Sequence, residues 1–233
     1  MPANESRSST DRTEGANSLH DPKVAELLAA LYQASEQDDA IVGRALAGVA
    51  GRAVPPSLTE SVELVAEALL PVQPRVGELL YLLVRSLRPT HVVEFGTSFG
   101  ISLIHLAAGV RDNGFGSVVG SELSASKVVQ ARKNLAAVGL SDLVEIREGD
   151  ARETLATVPG PIDLILLDGW KDICLPVLEL LEPKMHPGTV VLADNLSMLP
   201  PEYLDRVRTG GDYVSVDLPV GEGIELSTRI TVS

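Results

Sequence analysis

The chain has 233 residues, 45% of them hydrophobic, enough to bury one sizeable core. Its formal charge of −13 disfavours a nucleic-acid partner, and it holds no apolar run of about 18 residues that would read as a membrane span. A single cysteine, Cys174, excludes an internal disulfide and fits a reducing, cytoplasmic location; flanked by Ile173 and Leu175, it reads as a buried structural thiol.

Residues 1–20 are rich in Ser, Asn, Glu and Gly, carry no apolar stretch of a secretory signal, and are expected to be a disordered tail. From Asp21 the pattern turns helical, with Asp21 as N-cap, Pro22 at the first position, and Val24, Leu27, Leu28, Leu31 and Tyr32 on one face. Residues 40–50 read as a second helix and 57–70 as a third, with Thr59 as its cap and Val62, Val65, Ala66 and Leu69 in one stripe. Pro71 and Pro74 break the chain before a further helix over 76–87, so 21–70 reads as a helical extension and 71–233 as the main domain.

After Pro89, strand-like and helix-like segments alternate, which is the signature of a doubly wound α/β sheet. Strands are expected at 91–95, 117–121, 143–146, 162–167 and 189–193, with helices over 101–109, 125–138 and 172–181 between them. After a last helix at 203–209, the segments 213–218 and 222–230 follow too closely for a crossover, so at least one must run antiparallel. The fold class is therefore a mostly parallel, seven-stranded sheet with an antiparallel C-terminal hairpin.

Ligands of such sheets bind beyond the carboxyl ends of the strands. Gly96 and Gly100 follow the first strand, but Ser98 stands where a dinucleotide fingerprint needs its second glycine, and no Lys follows to make a phosphate loop. A cofactor without a pyrophosphate fits better. S-adenosylmethionine is one, its carboxylate facing the helix N-terminus with Ser98 and Ser102 as donors. Glu122, ending the second strand, is placed to accept both ribose hydroxyls, and Asp150, after the third, to accept from the adenine amino group. Taken singly, the two glycines describe only a tight turn, Glu122 a helix cap, and Glu94 a buried polar residue. The fourth strand ends in Asp168 and the fifth in Asp194 and Asn195, with Lys171 one turn beyond Asp168. Three oxygen ligands and an amine at one rim suggest a hard divalent cation beside a proton acceptor. The competing structural reading makes Asp168 and Asn195 helix N-caps and Lys171 a solvated residue. None of the histidines at 20, 91, 105 and 186 is assigned to metal.

Together, Val93 to Ser102, Leu167 to Asp172, and Leu192 to Asn195 resemble three motifs of the metal-dependent class I O-methyltransferases, the catechol and caffeoyl-CoA enzymes and their bacterial relatives. Residues 218–224 are similar to the closing hairpin of the short bacterial members. The resemblance covers roughly residues 72–230 and implies a Rossmann-like methyltransferase fold. It implies that Asp168, Asp194 and Asn195 hold Mg²⁺, with Mn²⁺ or Ca²⁺ as alternatives, and that Lys171 is the general base. A free lysine, with a pKa of about 10.4, is almost wholly protonated at neutral pH, so a neighbouring cation and a sulfonium would have to lower it. The resemblance also makes Val72, Glu94, Gly96, Ala151, Asp168 and Trp170 contacts of S-adenosylmethionine, and a hydroxylated small aromatic molecule the substrate, with a homodimer left open. Two departures stand out. The last two strands are joined by a short segment with no counterpart of the acidic and aromatic residues that catechol enzymes place over the ring, and only 3% of the chain is aromatic. Either the metal grips the substrate, or the helical extension or a second subunit supplies the wall. A nicotinamide dehydrogenase would account for the fold and Glu122, and a non-catalytic binding protein for the fold alone.

Overall fold

The computed structural model describes residues 17–231. Five parallel strands form the sheet's main body: β1 (His91–Phe95), β2 (Ser117–Glu122), β3 (Val144–Glu148), β4 (Ile162–Leu167) and β5 (Met185–Asp194). β6 (Tyr213–Leu218) and β7 (Ile224–Arg229) complete it in the order β3-β2-β1-β4-β5-β7-β6, with β7 antiparallel to both β5 and β6. The order reverses between β1 and β4, and that reversal opens a crevice at the carboxyl ends of those two strands.

The apolar runs are strands because both faces of the sheet are covered. Leu164 and Leu166 point into one core with α1 (Pro22–Ser35), α4 (Pro74–Leu87), α5 (Ile101–Asn113) and α6 (Ala125–Ala137). Ile165 and Leu167 point into the other with α8 (Cys174–Leu181) and α9 (Pro201–Arg208). Cys174 is fully buried in that second core, and its burial pushes the thiol up to about 11.

The helices before β1 depart from expectation in four places, one of them α4, which takes Pro74 as its first residue instead of starting at Val76. The expected disordered tail lies mostly outside the described residues, but Ser18–His20 form a 3-10 turn. Ser18 is buried there, its amide and hydroxyl both donating to Asp112. α2 (Asp38–Val49) starts two residues early, at two acidic residues that suit a helix N-terminus. α3 runs only Leu58–Leu64, and its cap is Ser57, in a reciprocal capping box with Glu60, rather than Thr59. Residues 65–70 leave the helix because the buried Asp38 carboxylate takes the amides of Leu69 (2.9 Å) and Leu70 (2.7 Å), and Leu70 turns to a φ of +45°. A short helix between β3 and β4, α7 (Ala151–Thr154), was not expected from the pattern.

Candidate active site

The turns after β1 and β4 interlock, and glycine makes that contact sterically feasible. A Cβ on Gly96 would lie 2.4 Å from the Gly169 amide nitrogen, and one on Gly169 would lie 2.2 Å from the Phe95 ring. The Asp168 amide donates to the Phe95 carbonyl at 2.8 Å, which fixes Asp168 over the crevice. Leu167 pairs with Ala193 across β4 and β5, so the next residues, Asp168 and Asp194, end side by side. Asp194 is 4% exposed and its Oδ1 has no hydrogen-bond partner. Burial, then the charge of Asp168, push its carboxyl up to about 7. Burial also raises Asp168, opposed by the Lys171 ammonium, which donates to its Oδ1 at 3.1 Å. Asn195 turns the chain at φ +56°, a conformation asparagine tolerates better than most residues, and its Nδ2 donates to Glu222 Oε2 at 3.2 Å.

These residues are not doing the ordinary jobs weighed against them. The Asn195 side chain makes no capping hydrogen bond, Asp168 is not the N-cap of the turn that follows it, and Lys171 is largely buried against Asp168. Among the described residues, no group of three or more His, Cys, Asp or Glu side chains is arranged to hold a metal. The expected set is different, two carboxylates and an amide. Its donors are all oxygen, and two buried carboxylates repel each other beside an unpartnered oxygen. That is the chemistry a hard cation relieves.

The cofactor end is tightly tied. Glu94 is fully buried and burial raises its carboxyl to about 8; Thr97 Oγ1 donates to it at 2.8 Å, Ser102 also hydrogen-bonds to it, and its Oε1 has no partner. Ser98 sits at φ +45°, its amide donating to Glu122 Oε2 at 2.7 Å and its hydroxyl to the Leu69 carbonyl at 2.6 Å. The other Glu122 oxygen accepts from the Ser124 amide at 2.8 Å, which leaves lone pairs on both oxygens for hydroxyl donors. Asp150 caps α7 through the Arg152 amide (2.9 Å) and pairs with the Arg152 guanidinium (2.6 Å). Trp170 is 39% exposed and belongs to neither core.

One cleft of about 800 Å³ gathers Gly96, Ser98, Glu122, Asp150, Ala151 and Trp170 with Asp168, Lys171, Asp194 and Asn195. Val72 and Ser102 line a smaller niche with Gly96, Ser98 and Asp168, and Glu94 is buried behind Thr97.

A family model described as a methyltransferase domain matches residues 93–196, the span from the first of the three motifs to the third. The similarity is to O-methyltransferases, and it covers part of this chain. Among curated relatives, catechol O-methyltransferase B of Danio rerio is 33% identical over 152 residues, covering 60% of this chain and 55% of its own length. Catechol O-methyltransferase of Mycobacterium tuberculosis is 33% identical over 126 residues, covering 54% and 56%. The chain thus spans about half the length of these curated relatives. A methyltransferase from Geobacter sulfurreducens superposes with a TM-score of 0.62 at 25% identity, covering 83% of this chain and 97% of that one. The O-methyltransferase of Bacillus cereus, solved with S-adenosylhomocysteine, shares the fold at 23% identity and a TM-score of 0.62, over 85% and 99%.

Two residues at this site carry no clear signal in the sequence. Glu222 reaches the rim because Asp194 pairs with Ile224, which carries the β6–β7 turn past the end of β5. Lys127, on α6, is 4% exposed and donates to the Ser98 hydroxyl at 3.1 Å. An acidic residue between two glycines was the one available signal for Glu222; Lys127 lies in an ordinary helical pattern and gave none. No helix among the described residues is long and apolar enough to cross a membrane.

Proposed function

We propose that this chain is a cytoplasmic, divalent-cation-dependent O-methyltransferase that moves a methyl group from S-adenosylmethionine to one hydroxyl of a catechol-like or other vicinal-diol small molecule. The observation that carries the reading is the buried Asp194 with its unpartnered Oδ1, beside Asp168, Asn195 and Lys171 at the crevice between β1 and β4. The relatives named catechol O-methyltransferase support a diol acceptor.

In this reading Asp168, Asp194 and Asn195 hold Mg²⁺, or Mn²⁺ or Ca²⁺ in its place, and Lys171 is the proton acceptor for the hydroxyl. Bound, the cation lowers the pKa of a diol hydroxyl and the sulfonium supplies an electrophilic methyl group. The protein's own contribution is placement and charge. Asp168 holds the Lys171 amine at 3.1 Å, and two carboxylates favour a cationic neighbour. Glu122 is available to ribose hydroxyls, Asp150 and Ala151 to the adenine edge, Trp170 to its face, and Val72, Glu94, Gly96, Ser98 and Ser102 to the methionine end. A pyrophosphate cofactor is disfavoured because the Ser98 side chain replaces a glycine and its hydroxyl is tied to Leu69. The test is turnover of 4-methylcatechol, read as release of S-adenosylhomocysteine. Chelator should abolish it and added Mg²⁺ restore it; full activity in chelator would remove the cation from the reading.

A further inference from the structure

The cleft extends well beyond the methyl-transfer residues, and its outer wall has a character of its own. α2 gives only Asp38 to the protein interior. Its apolar residues Val42, Ala45, Leu46 and Val49 share one face at helical spacing and line the cleft, together with Leu58 and Val62 of α3. Leu46 is 64% exposed, and Met198, on the same cleft, is 62% exposed. Among the described residues, Trp170 and Phe95 are the only aromatic residues lining the cleft, and Phe95 is almost wholly buried. An aliphatic surface left open beside a reaction centre is a place for apolar substrate mass, held by area rather than by ring stacking.

The charge of the same wall is one-sided. Among the described residues the cleft is lined by seven carboxylate side chains and two ammonium groups; Asp150 pairs with the Arg152 guanidinium and Asp168 and Asp194 sit at the proposed cation site, while the α2–α3 wall itself carries Asp38 and Asp39 and no cationic side chain. Both ammonium groups are engaged, Lys171 with Asp168 and Lys127 with the Ser98 hydroxyl, each at 3.1 Å. An acceptor whose phosphates or free carboxylate lay along that wall would meet Asp38 and Asp39 with no cationic side chain among the described lining residues.

We propose that the acceptor is an uncharged or cationic vicinal diol carrying an aliphatic apolar body that lies on the α2–α3 wall, and that anionic acceptors, coenzyme A thioesters included, are excluded. This rests on the diol-methylation reading above. The test compares kcat/KM for four probes with the full-length protein, Mg²⁺ and S-adenosylmethionine: 4-methylcatechol, 4-hexylcatechol, 3,4-dihydroxybenzoate and the coenzyme A thioester of 3,4-dihydroxycinnamate. 4-Hexylcatechol should exceed 4-methylcatechol by at least tenfold, and both anions should fall at least tenfold below it. Leu46→Lys, at an exposed position that leaves the core untouched, should raise 3,4-dihydroxybenzoate at least fivefold relative to 4-methylcatechol and erase most of the hexyl gain. Turnover of either anion as fast as 4-methylcatechol, or a hexyl chain without effect, overturns the proposal while leaving diol methylation standing. Failure of all four probes overturns diol methylation and this proposal with it.

Discussion

Glu94 makes a prediction that needs neither cofactor nor cation. Its carboxyl is fully buried and raised from 4.5 to about 8, chiefly by loss of water, with Thr97 and Ser102 opposing the shift. A raised carboxyl keeps its proton in the folded state while the unfolded chain has already lost it. Between pH 4.5 and 8 the unfolded state therefore binds fewer protons, and stability falls as pH rises through that window. Each pH unit of difference is worth about 1.4 kcal/mol, so this one group costs roughly 1 kcal/mol at pH 5 and about 4 kcal/mol at pH 8, an upper figure because local relaxation reduces it. Glu94→Gln keeps the size and a Thr97 acceptor and removes the proton equilibrium. Urea unfolding of cofactor-free protein at pH 5, 6, 7 and 8 should show the variant gaining on the wild type as pH rises, by at least 2 kcal/mol across the series. Stability curves that run parallel would refute the assignment of a proton-holding carboxyl at this position.

The remaining expectations concern the rim. Lys171→Ala should lower kcat by about 100-fold or more, the range typical of a lost general base, while calorimetry finds S-adenosylhomocysteine affinity within about threefold of wild type. Asp194→Asn should abolish Mn²⁺ binding read by electron paramagnetic resonance, yet raise the melting temperature of the cation-free protein, because one of two adjacent buried carboxylates is neutralised. Glu222→Ala should weaken Mn²⁺ binding by about 10- to 100-fold by releasing the Asn195 amide, whereas Glu222→Gln, which still offers an acceptor, should stay near wild type; equal losses in the two would mean that charge alone matters.

The strands, their order of appearance, and the polar residues at their ends are local features of this chain. An apolar run such as Ile162 to Leu167 cannot be solvated along its length, and the Asp and Gly that follow it stop the strand where the chain must turn. Asp168, Lys171, Asp194 and Asn195 were therefore legible as strand-end residues, and the register of β4 on β5 makes neighbours of Asp168 and Asp194. The early end of α3 was not legible, because it is set by Asp38, which binds amides 31 and 32 residues away, against a continuing helical stripe. Glu222 was not legible either, since its place beside Asn195 depends on the antiparallel register of β7 on β5. Sequence alone determined which side chains end each strand, because that is decided by hydrophobicity and turn chemistry within a few residues. Only the tertiary structure decided which of those groups lose their water and face one another, because burial and pairing are properties of elements far apart in the chain.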